Sequence, residues 1–371
     1  MAAASSKITR RKFVQLGGAA LTSLGLTSGF PDIVAATTKN VVKIGVFSPS
    51  HCSSPMLYAD IAGYYKEHGV TIEIIYADSM SKLANGIING DLHFGQLMVP
   101  ITIAAHTGSG SFSQKNTPLV SPMWAGTNGG CMVVRNDSNI RLPSDLKGKR
   151  IGIHSRYLFH YLIIIELFER YGINPSKDVT LKILNMNNMI QALESDEIDA
   201  FINPEPISSS AVAKGLGHDF ILTKDLWFRH PCCCLATRKS LFENEPTLFR
   251  DVVSATLRSA LELNETTNRN LRLKMIWDRV PVFQKLPLEV IQSSFTPGRS
   301  DFEPFPYQSS ARVVAKLLQK NGLMSETISA EKTVADIFLS DYTRTLMHSI
   351  DASSTPDSNN KAEWVVGRLY D

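Results

Sequence analysis

Two hydrophobic rhythms alternate along this chain from about residue 40 onward. Residues 41–47 (VVKIGVF) carry the apolar run of a strand, and residues 55–68 have helical spacing ended by Gly69. Residues 70–76 (VTIEIIY) form the next strand, 79–89 a helix, and 92–96 a strand after the Gly90-Asp91 turn. The rhythm then recurs. Residues 149–153 are a strand, 157–171 a helix stopped by Gly172, 179–184 a strand, 188–195 a helix and 198–202 a strand. In each half a helix passes through a short acidic turn into a strand, LANGIINGDLHFGQL in the first and IQALESDEIDAFI in the second. This βαβαβ order predicts parallel sheets covered by helices, and its repetition predicts two lobes of similar topology.

Strand-like segments at 132–134 and 231–236 flank the second half and read as two crossings between the lobes, so the first lobe is discontinuous. From Pro246 the pattern is helical, with candidates at 247–264, 268–279, 287–293 and 307–321. Residues 353–360, rich in Ser, Asp and Asn, read as a mobile segment. The expected organisation is a leader at 1–36, lobe I at 40–125 and 232–350, lobe II at 126–231, and a C-terminal tail at 351–371. Hinges are expected at about 123–128 and 228–231.

The leader changes the charge picture. Arg10-Arg11-Lys12-Phe13 precedes a Gly-diluted apolar run that ends at Val34-Ala35-Ala36, the layout of an export signal, and the paired arginines resemble the twin-arginine type. The apolar run is shorter than the ~20 residues that span a bilayer. Residues 1–36 hold Lys7, Arg10, Arg11 and Lys12 against Asp32 alone, so without them the 38 basic and 35 acidic residues become 34 and 34. The apparent basicity therefore belongs to the leader, which takes away the main support for nucleic-acid or membrane-surface binding, and no later segment is long and apolar enough for insertion of the mature chain in a membrane.

With these features in place, the chain resembles the soluble receptors of ABC importers, in particular the nitrate, bicarbonate and sulfonate-binding branch of the type II periplasmic binding proteins. The resemblance runs from about residue 42 to 340. It is carried by GVFSPSHCSSPMLYADIAGYYKEHGV, GDLHFGQL, DLKGKRIGIH, NPEP and LWFRHP in that order. It implies an α/β fold of two lobes joined by a double-crossover hinge, with a ligand cleft between them. It also implies a periplasmic, monomeric receptor that captures a small-molecule solute by lobe closure and delivers it to an ABC transporter permease, with no cofactor and no catalysis.

Open α/β sheets gather ligands at strand carboxyl ends, where helix N-termini offer free N–H groups. The loop with Ser50, His51 and Cys52 is one such place, Asn128-Gly129-Gly130 supplies backbone of close approach, and the second-lobe helix brings His160. Glu205, between two prolines at a strand end, is a further candidate. The nitrate and bicarbonate receptors that the chain resembles hold their anion with Trp, Gln, His and Lys. Here the Trp position falls near Met80, the Gln near Gly130 and the Lys near Cys233, and only His160 is matched. Without the buried Lys, nothing offsets desolvation of a small anion. The expected solute is therefore neutral, larger, or bound by softer groups.

All five cysteines, Cys52, Cys131, Cys232, Cys233 and Cys234, lie in these segments. One reading makes them small buried hydrophobes of a central strand, on which Cys232 and Cys234 share one face and Cys233 takes the other. Another makes Cys52, Cys131 and one of the run a soft-metal site with His51, His160, Met80 or Met98. The run is also similar to the consecutive-Cys motif of thiamine-pyrimidine synthases, but the further Cys of that motif is replaced by Leu235-Ala236. No CxxC, HExxH, GxSxG, Walker or GxGxxG motif is present, and no spacing pairs a nucleophile with a base.

Overall fold

The computed structural model describes residues 41–113, 117–350 and 352–370. The export signal read at 1–36 lies outside the described residues. Eleven of the described strands make two sheets. The first contains β1 (Val42–Phe47), β2 (Ile72–Ala77), β3 (Phe94–Met98), β4 (Leu119–Asn128), β10 (Pro231–Arg238) and β11 (Ser300–Asp301), in the order β11-β4-β10-β3-β1-β2. The second contains β5 (Gly130–Arg135), β6 (Arg150–Ile153), β7 (Thr180–Ile183), β8 (Ala200–Pro204) and β9 (Gly217–Leu222), in the order β7-β6-β8-β5-β9.

The sheets repeat one plan. β1 pairs in parallel with β2 and β3, as β6 does with β7 and β8. Beside each parallel trio runs an antiparallel strand from the other half of the sequence: β10 pairs with β3, and β5 with β8. The chain thus passes between sheets twice, from β4 to β5 through Gly129 alone and from β9 back to β10 through residues 223–230. The weak sequence repeat has a packing basis. A methyl on Gly45 of β1 would lie 2.5 Å from Leu92, which follows the first acidic turn, and one on Gly152 of β6 would lie 2.9 Å from Ile198, which follows the second. Each central strand needs a glycine because an apolar side chain from the turn lies against its backbone.

The strands and helices expected from sequence appear within about two residues, but the structure adds β4, β9 and the helices Lys239–Asn244, Ala330–Ile337 and Ser340–Ser349, and it differs in three further respects. The helix expected over 55–68 is two, Ser54–Ile61 and Tyr64–Glu67, divided at Gly63, whose φ of 83° ends the first. The helices Val99–Thr107 and Ile207–Ala213 have no amphipathic stripe to betray them; the first is buried at every position from Val99 to Ala105. Residues 353–360, expected to be mobile, are pinned instead: Arg344 Nε donates to the Pro356 carbonyl at 2.8 Å and the Gln308 N–H to Asn359 at 2.8 Å. They lead into a hairpin of β12 (Glu363–Val365) and β13 (Arg368–Tyr370). Among the described residues no helix is long and apolar enough to cross a membrane.

Candidate functional site

The first crossing and the loop after β1 meet. Ser50 caps the turn His51–Ser53: its hydroxyl accepts from the Ser53 N–H at 3.2 Å and donates to the Phe47 carbonyl at 2.7 Å. Gln96 on β3 locks this turn, accepting from the Phe47 N–H at 3.1 Å and donating to Ser50 Oγ at 3.2 Å and to Cys233 Sγ at 3.6 Å. The turn presents His51 toward the second sheet, where the His51 N–H donates to the Glu205 carbonyl at 3.2 Å.

Gly129 must be glycine twice over. Its φ is 76°, and a methyl there would lie 2.1 Å from His51 Cε1. A methyl on Gly130 would lie 2.9 Å from His160 Nε2 and 2.8 Å from Thr223 Cγ2. His51 from the first sheet and His160 from the helix Phe159–Arg170 therefore face the same two glycines. A third histidine completes the group. His230 stacks on Phe159 with centroids 3.7 Å apart and planes 5° from parallel, and its Nε2 is 2.9 Å from Thr223 Oγ1. Because the Thr223 hydroxyl proton goes to the Gly130 carbonyl at 3.0 Å, His230 Nε2 is the donor to Thr223 and Nδ1 keeps a lone pair.

All three imidazoles are buried, and burial lowers each pKa, His160 to about 3 and His230 well below the usual value; neighbouring histidines add to the shift of these two, whereas Cys233, Glu205 and Asp301 partly oppose it at His51. They are neutral at physiological pH. Around residues 127–130, His51 Nδ1, His160 Nε2, His230 Nδ1 and Thr127 Oγ1 have no hydrogen-bond partner. Buried polar atoms without partners cost about 1–3 kcal/mol each, so these four make the crossing the candidate site.

Positive charge at the site is already spent. Arg299 Nε donates to Glu205 Oε1 at 2.8 Å and Nη1 to Asp219 Oδ2 at 2.5 Å. Burial pushes the Glu205 carboxyl up while Arg299 and the Ser209 N–H, 3.0 Å from Oε2, hold it down. Glu205 thus ties elements together with both oxygens engaged. Asn128 is committed likewise: in the left-handed region at φ 58°, it donates to Asp301 Oδ2 at 2.9 Å and accepts from the Arg229 N–H at 2.8 Å.

Of the residues singled out by sequence, Ser50, His51, Cys52, Gly129, Gly130, His160, Glu205 and Cys233 come together, and Asn128 anchors the crossing. Met80 opens the helix Met80–Asn89, where it is buried, and has no hydrogen bond or ring contact with this group among the described residues. The cysteine reading changes more. Register shifts on either side of Cys233 break the strand alternation, and Cys232 and Cys233, not Cys232 and Cys234, come together with sulfurs 4.0 Å apart. Cys234 instead lies 3.3 Å from Thr102 Oγ1. Cys131 belongs to a separate apolar cluster and donates to Asp219 Oδ1 at 3.3 Å, so it is not part of the Cys52 group.

A pair that the sequence spacing did not suggest also appears, with His51 Nε2 3.2 Å from Cys52 Sγ. Burial pushes the Cys52 thiol well up and lowers His51, which keeps both neutral and opposes a thiolate–imidazolium couple. Sequence reading missed His230, Thr223, Thr127 and Arg299. For His230 the signal was the LWFRHP segment, used for the resemblance and not read for its histidine; no motif pointed to the other three.

The two sheets, with a double crossing and a polar cluster where they meet, have the architecture of periplasmic binding proteins. The chain belongs to the NMT1-like family, whose pattern it matches over residues 35–277, more than half its length. It is similar to the periplasmic nitrate-binding protein NrtA from Synechocystis PCC 6803, with a TM-score of 0.81 and 16% identity over 89% of this chain and 95% of that one. The desulfurization enzyme DSZB shares the fold more distantly, with a TM-score of 0.59 and 14% identity over 83% of this chain and 99% of that one. At such identities the likeness is one of fold. In sequence it is 23% identical to the nitrate/nitrite binding protein NrtA of Nostoc sp. (strain PCC 7120 / SAG 25.82 / UTEX 2576), over 66% of this chain and 58% of that protein. The chain spans 34% to 59% of the lengths of the curated relatives it matches.

Proposed function

We propose that this chain is the exported solute receptor of an ABC importer, that the two sheets are its two lobes, and that solute is held where they meet at residues 127–130. The observation that carries the reading is the group of unpartnered buried atoms contributed from both sheets, on the fold of a nitrate receptor. The solute is a small neutral polar molecule. Three neutral imidazoles and a hydroxyl can donate and accept, while the partly buried Arg299 guanidinium already serves two carboxylates. A nitrate-sized anion would be desolvated there without an offsetting cation. The neutral, buried Cys52–His51 pair supports a receptor over a catalyst.

The test is native mass spectrometry of the folded chain purified without denaturant, followed by titration calorimetry with the solute found. One neutral solute per chain is expected, and His160→Ala should weaken it roughly tenfold or more, the loss of about one buried hydrogen bond. Tight nitrate binding that is indifferent to His160→Ala would overturn the proposal.

A further inference from the structure

A second cluster lies beside the solute site and shares His51 with it. His51 and Cys52 sit in the turn after β1, and Cys232 begins β10 after the second crossing. The register carries Pro231 opposite Thr127 and Cys233 opposite Gly126, which leaves Cys232 as the extra residue of a bulge. That bulge turns the Cys232 sulfur out of strand alternation and toward Cys52. One ligand atom from each of His51, Cys52 and Cys232 lies within 4.8 Å of the other two, and all three residues are fully buried. The described cysteines are all free thiols.

We infer that His51 Nε2, Cys52 Sγ and Cys232 Sγ form a binding site for one thiophilic d10 cation. Two sulfurs and an imidazole are the donor set preferred by copper(I), and hard cations that require oxygen find none in it. Metal–ligand lengths of about 2.0–2.3 Å separate ligand atoms by roughly 3.3–4 Å, so the site needs only small side-chain adjustments to close on an ion. The His51 Nε2 to Cys52 Sγ separation of 3.2 Å is already near that spacing. Cys233, with its sulfur 4.0 Å from that of Cys232, can donate to the bound thiolate from outside the coordination set. Gly126 makes room for the group, since a methyl there would lie 2.8 Å from Cys52 Sγ and 2.9 Å from His51 Cδ2.

The site also bears on the solute. A metal on Nε2 would place the imidazole proton of His51 on Nδ1, the atom left without a partner at the crossing, and make it a donor to the guest. This consequence rests on the receptor reading, whereas metal binding itself does not.

The reduced chain, kept anaerobic and free of solute, would be titrated with copper(I) buffered by a chromogenic chelator, and separately with zinc(II). One tightly held ion per chain is expected from either metal. Cys232→Ser and Cys52→Ser should each lower its affinity at least roughly tenfold, and Cys131→Ala should leave it unchanged. His51→Gln, a milder change, guards against misfolding of the serine variants and should also weaken binding. Circular dichroism and thermal melting of each variant separate loss of the site from loss of the fold. No retained ion, or an ion held equally well by Cys232→Ser, Cys52→Ser and His51→Gln, would overturn the assignment. Because no solute is present, its failure and that of the receptor reading are separate results.

Discussion

At the scale of single residues, the three buried histidines give the protein a pH signature. His160, with a pKa of about 3 in the fold against 6.5 when exposed, is neutral folded and protonated unfolded between those values. The unfolded chain binds the extra proton, so stability is full above about pH 6.5 and falls as the pH drops through that window. His51 and His230 shift in the same direction. Each contributes a slope of about 1.4 kcal/mol per pH unit while its folded form stays neutral. Urea unfolding at pH 7, 6 and 5 should show the decline, and His160→Gln should make it shallower. An unchanged slope in that variant would mean that His160 is not buried neutral. The glycines allow a steric test: Gly129→Ala forces a side chain into the left-handed region and against His51, and should cost roughly 1–3 kcal/mol in chemical denaturation.

Between elements, the decisive contact is Arg299, which reaches from the loop before β11 to Glu205 after β8 and to Asp219 on β9. It joins the first sheet to the second. Arg299→Met would leave the Glu205 carboxylate buried without its partner, and should destabilise the chain by roughly 3–5 kcal/mol. In the double variant Arg299→Met/Glu205→Leu much of that loss should return, which a denaturation cycle would reveal. Small-angle scattering should show a larger radius of gyration for Arg299→Met if the pair holds the sheets together, and an unchanged radius would exclude that role. Sequence analysis reached Glu205 through the NPEP turn but not Arg299, because GRSD carries no periodicity and its partners lie 94 and 80 residues away.

For the whole molecule, the C-terminal hairpin acts as a strap. The buried Glu363 accepts from Trp227 Nε1 at 2.8 Å beside the second crossing and from Ser309 Oγ at 2.8 Å on the helix Gln308–Lys320. Ser310 and Lys361 also bind it. Tyr370 and Lys320 then meet the buried Glu166 on the helix Phe159–Arg170, each at 2.6 Å. The strap therefore touches elements of both sheets. Glu363→Ala leaves an indole N–H, two hydroxyls and an ammonium short of an acceptor, and should lower stability by roughly 2–4 kcal/mol in guanidinium unfolding. A change below 0.5 kcal/mol would show that the strap is dispensable.

Local pattern alone determined the alternation of strands and helices, the duplication of the halves and the likeness to solute receptors. These depend on periodicity and turn chemistry within short windows, as KIGVF, RIGIH and the two acidic turns illustrate. It also led to His160 and the His51 turn, because strand ends and helix starts can be located from sequence. Only the tertiary structure decided which side chains remain unpartnered. Asn128 and Glu205 looked open but are committed to Arg229, Asp301, Arg299 and Ser209, whereas His230 looked incidental and keeps a lone pair at the crossing. The cysteines show the reason most directly. Strict strand alternation would separate Cys232 from Cys233, but a bulge, a product of pairing with a distant strand, brings Cys232 toward Cys52 and His51.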